Sequence, residues 1–323
     1  MIKNIGIVGT GDIATQFVTQ IDTKKYNIHS VFNRTSRSLI NFTQIHDLTN
    51  GYTDYMEFLD DDALECVYIA TPNQTHFKYA KEAIEKGKHV LCEKVLVLTA
   101  SEAKELYRLA KEKNLVILEA VTLFYMPLYE EVKRLMRDGV LGQISGANIT
   151  FGSCKEYDIN NRFFSLEKGG GALFDIGPYG LSAAVYLLGT DLDLVATSAV
   201  MAKSGVDEKS VTILQNPQGQ QASIQLSFRG KMPKQIVLTG DEGYLIINDF
   251  PRAEVGVVTF NDGSTKVIEK GHAKDVFTYE MDMLNHLSKR PETSEVPDVR
   301  DVSLRVLELM DDMRESWGYK LFK

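Results

Sequence analysis

Ile2-Lys3-Asn4-Ile5-Gly6-Ile7-Val8-Gly9-Thr10-Gly11-Asp12-Ile13-Ala14 opens the chain with an apolar run, a glycine turn and the start of a helix-like stretch that continues to Ile21. Within it, Gly9, Gly11 and Ala14 complete a G-x-G-x-x-A pattern. Gly9 permits the sharp bend from strand to helix, Gly11 lets backbone N–H groups approach a pyrophosphate, and Ala14 is small enough for the helix to pack on its strand. Phosphates would then rest on the helix N-terminus, with Thr10, Asp12 and Ile13 supplying the surrounding backbone. Such turns also occur in α/β proteins without a ligand. Here the strand before it, the helix after it and a second strand ending at Asn33 mark it as a dinucleotide-binding turn.

Strand and helix signals alternate from this turn to residue 120, the pattern of βαβ units and a parallel sheet. Strands read at 2–8, 28–33, 66–70, 89–92 and 116–118, with helical periodicity over 12–21, 76–86 and 101–113. After a helix at 128–138 the pattern changes. Strands of alternating polarity follow one another at 144–152, 194–201, 210–215, 221–228, 235–238, 244–247 and 254–260, joined by turns such as Asn216-Pro217-Gln218-Gly219 and Asn261-Asp262-Gly263. Helices interrupt at 171–188, 276–289 and 299–317. The expected fold is an α/β Rossmann domain over 1–121 followed by an α+β domain over 122–323, with a largely antiparallel open sheet and helices on one face.

Charge and cysteine content narrow the function classes. A net charge of −8 without blocks of like charge argues against nucleic-acid and anionic-membrane surfaces and fits an enzyme acting on a small molecule. The three cysteines (Cys66, Cys92 and Cys154) and six histidines show neither a disulfide framework nor zinc-ligand spacing, so no metal is expected. Cys92 reads as a packed strand residue. With no signal-peptide pattern before the first strand and no apolar stretch long enough to span a bilayer, the expected location is the cytoplasm.

Four further stretches could carry chemistry. Asn33-Arg34-Thr35 ends the second strand, where an acidic residue would hold the ribose 2′-hydroxyl of NAD. No acid is present. Arg34 can instead pair with a 2′-phosphate and Thr35 can add a hydroxyl, so NADP is favoured over NAD, unless Arg34 is only a solvated loop cation. Thr71-Pro72-Asn73 follows the strand at 66–70, and with His76 it lies at the carboxyl edge where such sheets bind ligands; a lone histidine there also reads as structural or capping. Glu93-Lys94 ends the next strand. Its lysine can stabilise alkoxide-like charge on a substrate oxygen, and the bland alternative is a local Glu–Lys surface pair. In Gly169-Gly170-Gly171-Ala172-Leu173-Phe174-Asp175-Ile176-Gly177-Pro178-Tyr179, Asp175 and Tyr179 stand one helical turn apart, and Pro178 makes the helix bend or restart. A tyrosine near a lysine ammonium is tuned for proton transfer; equally, Asp175 could cap a helix and Tyr179 could be a core aromatic.

Taken in order over nearly the whole chain, these elements resemble the glucose-fructose oxidoreductase / inositol dehydrogenase / rhizopine-catabolism family, Gfo/Idh/MocA. Gly87-Lys88-His89-Val90 leading to Glu93-Lys94, Glu119-Ala120 with Pro127, and a glycine hairpin over 236–247 add to the match. The resemblance implies a nicotinamide-dependent oxidoreductase acting on a secondary alcohol or carbonyl of a sugar or related small molecule. It further implies that Lys94 polarises the substrate oxygen, Asp175 orients or balances Lys94, and Tyr179 moves the proton. Tyrosine in place of histidine resembles the dimeric dihydrodiol and NADP-linked xylose dehydrogenase branch, and a homodimer or homotetramer through the second-domain sheet is implied. Three departures stand out: Val95 in place of a proline after the lysine, which leaves that backbone less fixed, and Phe124 and Met126 in place of an arginine and a histidine, which would make one wall of the substrate site apolar. The alternative is a dinucleotide-binding sensor or regulator without catalysis.

Overall fold

The computed structural model describes residues 1–289, 298–319 and 321, and the chain forms two compact units. The first contains six parallel strands: β1 (Asn4–Val8), β2 (Asn27–Phe32), β3 (Gly51–Tyr52), β4 (Cys66–Ile69), β5 (His89–Glu93) and β6 (Ile117–Ala120). Their order is β3-β2-β1-β4-β5-β6. Between them run α1 (Asp12–Gln20), α2 (Ser36–Ile45), α3 (Tyr55–Leu59), α4 (His76–Glu85) and α5 (Ala100–Glu112). β4 and β6 are buried along their whole length. A strand covered on both faces has no polar side to alternate with, which is why β4 reads as an unbroken apolar run and β6 is broken only by Glu119.

Strand order reverses between β1 and β4, whose register runs from Ile5 opposite Cys66 to Val8 opposite Ile69. The turns that leave these two strands therefore start side by side, at the crevice where open α/β sheets bind ligands. Phe17 of α1 stacks on Tyr68 of β4 at 4.0 Å and pins the helix over the sheet. α2, β3 and α3 were not foreseen from the sequence. β3 has two residues, α3 is a five-residue helix held by the Asp54 cap, and α2 buries only Leu39 and Phe42; none offers a long periodic signal.

The second unit begins at Val121. It contains α6 (Pro127–Arg137), β7 (Ile144–Gly152), α7 (Ala172–Asp175), α8 (Gly177–Leu188), β8 (Asp193–Met201), β9 (Asp207–Gln215), β10 (Gln221–Ser227), β11 (Gln235–Gly240), β12 (Gly243–Asn248), β13 (Val255–Phe260) and β14 (Thr265–Glu269). The eight strands form a sheet in the order β14-β13-β12-β11-β7-β10-β9-β8. β7 and β10 pair in parallel and the other neighbours antiparallel. α8 packs on β7 and β10, while Val195, Val211, Ile213, Tyr244, Val255 and Val267 project outward, exposed. β14, an edge strand with one buried residue, was not foreseen.

Two helices complete the chain, α9 (Val276–Ser288) and α10 (Val299–Trp317). Both fall in the expected second domain, yet α9 belongs to the first unit. Asn285 accepts from Ile2 N (2.8 Å) and donates to Ile2 O (3.0 Å), Thr278 accepts from Asp22 N (3.1 Å), and Phe277 meets Phe17 edge-on. The boundary near residue 121 therefore marks where the chain leaves the first unit, and α9 marks its return. Side-chain complementarity to β1 and α1 decides this, and periodicity carries no trace of it. α10 packs against α8 and β8 in the second unit.

Candidate active site

Gly9 adopts φ +104°, and a Cβ on it would lie 2.7 Å from the carbonyl oxygen of Ala70. Only glycine fits both the backbone and the neighbouring strand end. Gly11 differs. Its backbone is extended, it precedes the first turn of α1, and a Cβ there would meet nothing within 4 Å. Space therefore remains in front of the unpaired N–H groups of Asp12 and Ile13, as a bound pyrophosphate requires. Ala14 is buried beneath the helix. These residues fit a dinucleotide.

The β2–α2 loop supports the turn. Asn33 Nδ2 donates to Thr10 Oγ1 (2.5 Å) and its Oδ1 accepts from Thr35 N (2.9 Å), so one amide holds both loops. Arg34 and Thr35 are exposed, and Arg37, for which no role was expected, adds an exposed cation in the first turn of α2. Thr71 follows β4, and its hydroxyl accepts from Thr75 (2.8 Å). Pro72 leads into a single 3-10 turn over Asn73–Thr75.

His76 requires a correction. Expected among the dinucleotide contacts, it is wholly buried, with Nδ1 2.8 Å from Val95 O and Nε2 2.8 Å from Thr71 O. The ring thus sits between the loop after β4 and the loop after β5, and the single N–H of the neutral imidazole donates to one of these two carbonyls. Burial holds the imidazole pKa below its ordinary value against the pull of these carbonyls.

That position bears on Lys94. Without a proline at 95 the backbone was expected to be less fixed, but Val95, Leu96 and Val97 are all fully buried. His76 engages Val95 O, and Leu96 N donates to Glu119 Oε1 (2.8 Å). Glu119 sits opposite Cys92 in the register of β5 and β6, which brings its carboxylate to this loop. Glu93 is held in turn: Tyr68 donates to its Oε1 (2.5 Å), and Lys94 N lies 3.3 Å from Oε2. Tyr68 and Glu119 were not assigned roles from sequence, although an acid within Ile117-Leu118-Glu119-Ala120 is itself a signal, because a buried carboxylate needs a partner. Cys92 is buried and its thiol is pushed well above the ordinary value by burial.

In the second unit the helix breaks at Ile176, where the segment Leu166–Asp175 and α8 meet at 41° with Pro178 in the first turn of α8. Across residues 171–180 only Asp175 and Tyr179 keep partial solvent access. The break therefore leaves both partly open to solvent. Arg162 lies 3.9 Å from Asp175, and the Tyr179 ring stacks on Phe151 at 5.8 Å. Gly171, at φ +114°, abuts Asp207, whose Oδ2 accepts from Leu173 N (2.8 Å) and caps α7 from β9. Asp207 is fully buried, its Oδ1 has no hydrogen-bond partner, and burial raises its pKa to about 7. Tyr319 secures the same loop by donating to Gly170 O (3.1 Å). Phe124 and Met126, expected as a wall of the substrate site, are 4% and 1% exposed; Phe124 packs on Tyr125 and Tyr186. Among the described residues no group of three or more His, Cys, Asp or Glu is placed to hold a metal ion, and no single helix is long and apolar enough to cross a membrane.

Comparison with known proteins agrees with this geometry. Residues 3–121 match the oxidoreductase family with an NAD-binding Rossmann fold, and residues 129–246 match the GFO/IDH/MocA C-terminal domain. The chain is 29% identical over 270 residues to trans-1,2-dihydrobenzene-1,2-diol dehydrogenase of Xenopus laevis, covering 82% of this chain and 81% of that one. It is 27% identical to the NADP-dependent scyllo-inositol 2-dehydrogenase IolU of Bacillus subtilis, covering 97% and 96%. Its fold superposes on the 3-ketoreductase KijD10 of Actinomadura kijaniata, solved with NADP and TDP-benzene, with a TM-score of 0.86, 23% identity and 98% coverage of each chain. The two family matches, over residues 3–121 and 129–246 and in keeping with the parallel sheet followed by the open mixed sheet, thus identify the chain as a member of the Gfo/Idh/MocA family of oxidoreductases.

Proposed function

We propose that the protein is an NADP-preferring dehydrogenase or reductase that interconverts a secondary alcohol and a carbonyl on a sugar or related small molecule. The observation that carries this reading is the gathering of Gly11, Arg34, Thr71 and Lys94 at the carboxyl ends of one parallel sheet. Asp12 and Ile13 N–H groups would hold the pyrophosphate, and Arg34 the 2′-phosphate, through charge-assisted hydrogen bonds. A bound nicotinamide dinucleotide supplies or accepts the hydride. Lys94 donates a hydrogen bond to the substrate oxygen and stabilises its negative charge as the bond order changes. Tyr179 carries the proton to or from that oxygen, and Asp175 balances the lysine charge. The first unit thus holds the dinucleotide and contributes Lys94, and the second contributes Asp175 and Tyr179.

Lys94→Ala and Tyr179→Phe should lose turnover by about two to four orders of magnitude while NADP binding persists. Retained turnover in both variants refutes the assignment. A panel of sugars and dicarbonyls followed by NADPH fluorescence separates catalysis from sensing: tight NADPH binding with no decay on any carbonyl would favour a sensor.

The outward face of the second sheet supports a homodimer. Val195, Val211, Ile213, Tyr244, Val255 and Val267 expose apolar side chains on one sheet, and exposed apolar surface of this kind marks association sites. Ile213→Glu should convert a dimer to a monomer in sedimentation; a monomeric parent protein overturns the idea. Of the three cysteines, Cys66 and Cys92 are buried and all three are free, in keeping with a reducing, cytoplasmic setting.

A further inference from the structure

The loops beside Asp175 and Tyr179 carry more positive charge than a neutral sugar would need. After β7 the chain continues along β10, with Ser153 N and Lys155 N donating to Ser227 O and Phe228 O (2.8 Å each). Lys155 is therefore on a pinned backbone. Its ammonium lies 4.1 Å from the centre of the Phe163 ring, and the Arg162 guanidinium lies 4.4 Å from the same centre. Two cations sharing one ring stand within a Debye length of each other and repel. The ring itself is fixed by packing on Phe228, and Phe163 O accepts from Gly171 N (2.9 Å). A third cation, Lys234, sits 5.0 Å from the centre of the Phe151 ring, which stacks on Tyr179. Of the nearby acids, Asp175 lies 3.9 Å from Arg162 and Glu208 3.6 Å from Arg229. Glu156 and Asp158 follow Lys155 in the same loop, and none of the four is ion-paired to Lys155 or Lys234.

In a chain of net charge −8, holding cations over aromatic faces next to a proton-transfer pair is an arrangement for receiving negative charge. Building on the function proposed above, we infer that Lys155, Arg162 and Lys234 form a subsite for an anionic group on the substrate, a phosphate or a carboxylate remote from the reacting carbon. An anion bound by the lysine or the arginine would offset their mutual repulsion. The aromatic rings beneath would hold the adjoining carbon skeleton.

The test compares glucose, glucose 6-phosphate and glucuronate as substrates with NADP. In parallel, calorimetry measures inorganic pyrophosphate and glucuronate binding to the NADP-saturated protein, so that the cofactor's own phosphate site is occupied. An anionic compound should exceed glucose in kcat/KM by about tenfold or more, with KM rising as salt is raised to about 0.15 M. Preference for the phosphate or for the uronate identifies which anion is read. Lys155→Met and Lys234→Met, which keep the apolar stems over their rings, should erase the preference, and Lys155→Arg should keep it. If glucose turns over as well as its anionic counterparts, the subsite is overturned while the oxidoreductase reading stands. If nothing turns over but pyrophosphate or glucuronate binds and the methionine variants abolish it, the subsite stands and the reaction assignment fails. Absence of both preference and binding overturns the inference.

Discussion

Replacing Asp207 by asparagine isolates the energetic cost of burying one carboxyl group. In the folded protein its pKa is raised from the ordinary 3.8 to about 7, with burial as the leading cause and the Leu173 N–H and its own backbone N–H opposing it. A tenfold change in an acid dissociation constant corresponds to about 1.4 kcal/mol, so ionising this side chain in place costs about 4 kcal/mol more than in the unfolded chain. The unfolded carboxyl gives up its proton above pH 3.8, whereas the folded one keeps it until about pH 7. Stability contributed by this group is therefore greatest in acid, falls as pH rises through that window, and is flat above it. Asparagine can still accept from Leu173 N and cannot ionise. Between pH 5 and pH 8 the stability of Asp207→Asn should accordingly rise relative to wild type by roughly 2–3 kcal/mol. Trp317, the chain's single tryptophan, lies in α10 of the same unit and donates to Thr197 Oγ1 (3.1 Å). Its fluorescence during urea unfolding at several pH values supplies the assay. A variant-minus-wild-type difference that stays constant across the range would refute the reasoning.

Further outcomes concern the first unit. Gly9→Ala forces a side chain into a left-handed backbone and against Ala70 O, so thermal unfolding should show a loss of about 1–3 kcal/mol. Gly11→Ala should leave the melting temperature unchanged but weaken NADP in a titration, since its Cβ enters only the open space; equal effects at both glycines would contradict their different roles. Arg34→Ala should raise the KM for NADP by about tenfold, the equivalent of one surface charge-assisted contact, and leave that for NAD nearly unchanged; a parallel change in both would remove Arg34 from 2′-phosphate recognition. Tyr68→Phe removes the donor to Glu93 Oε1 and should cost about 1.5–3 kcal/mol in urea unfolding.

Much of the candidate site was legible because local chemistry dictates it. A turn that needs φ +104° beside a strand end demands glycine at 9, and Pro178 next to Tyr179 announces a helix that must restart. His76 and Glu119 were not legible in the same way. Each depends on a contact with a later or earlier loop that the local sequence does not display, Val95 O for the histidine and Leu96 N for the glutamate. Asp207 is more distant still, a cap that reaches α7 from another strand.

By itself the sequence determined what neighbours in the chain can enforce: the βαβ alternation, the glycine turn with Arg34 after it, and the Asp175–Tyr179 spacing on a broken helix. Only the tertiary structure decided that α9 returns to the first unit, that β7 pairs in parallel with β10, that His76 sits between two loops and that Lys155 and Arg162 share one ring. The physical reason is the range of the interactions. Backbone conformation and periodic burial are set within a few residues, whereas packing, register and remote hydrogen bonds join segments whose separation in the chain carries no record of their contact.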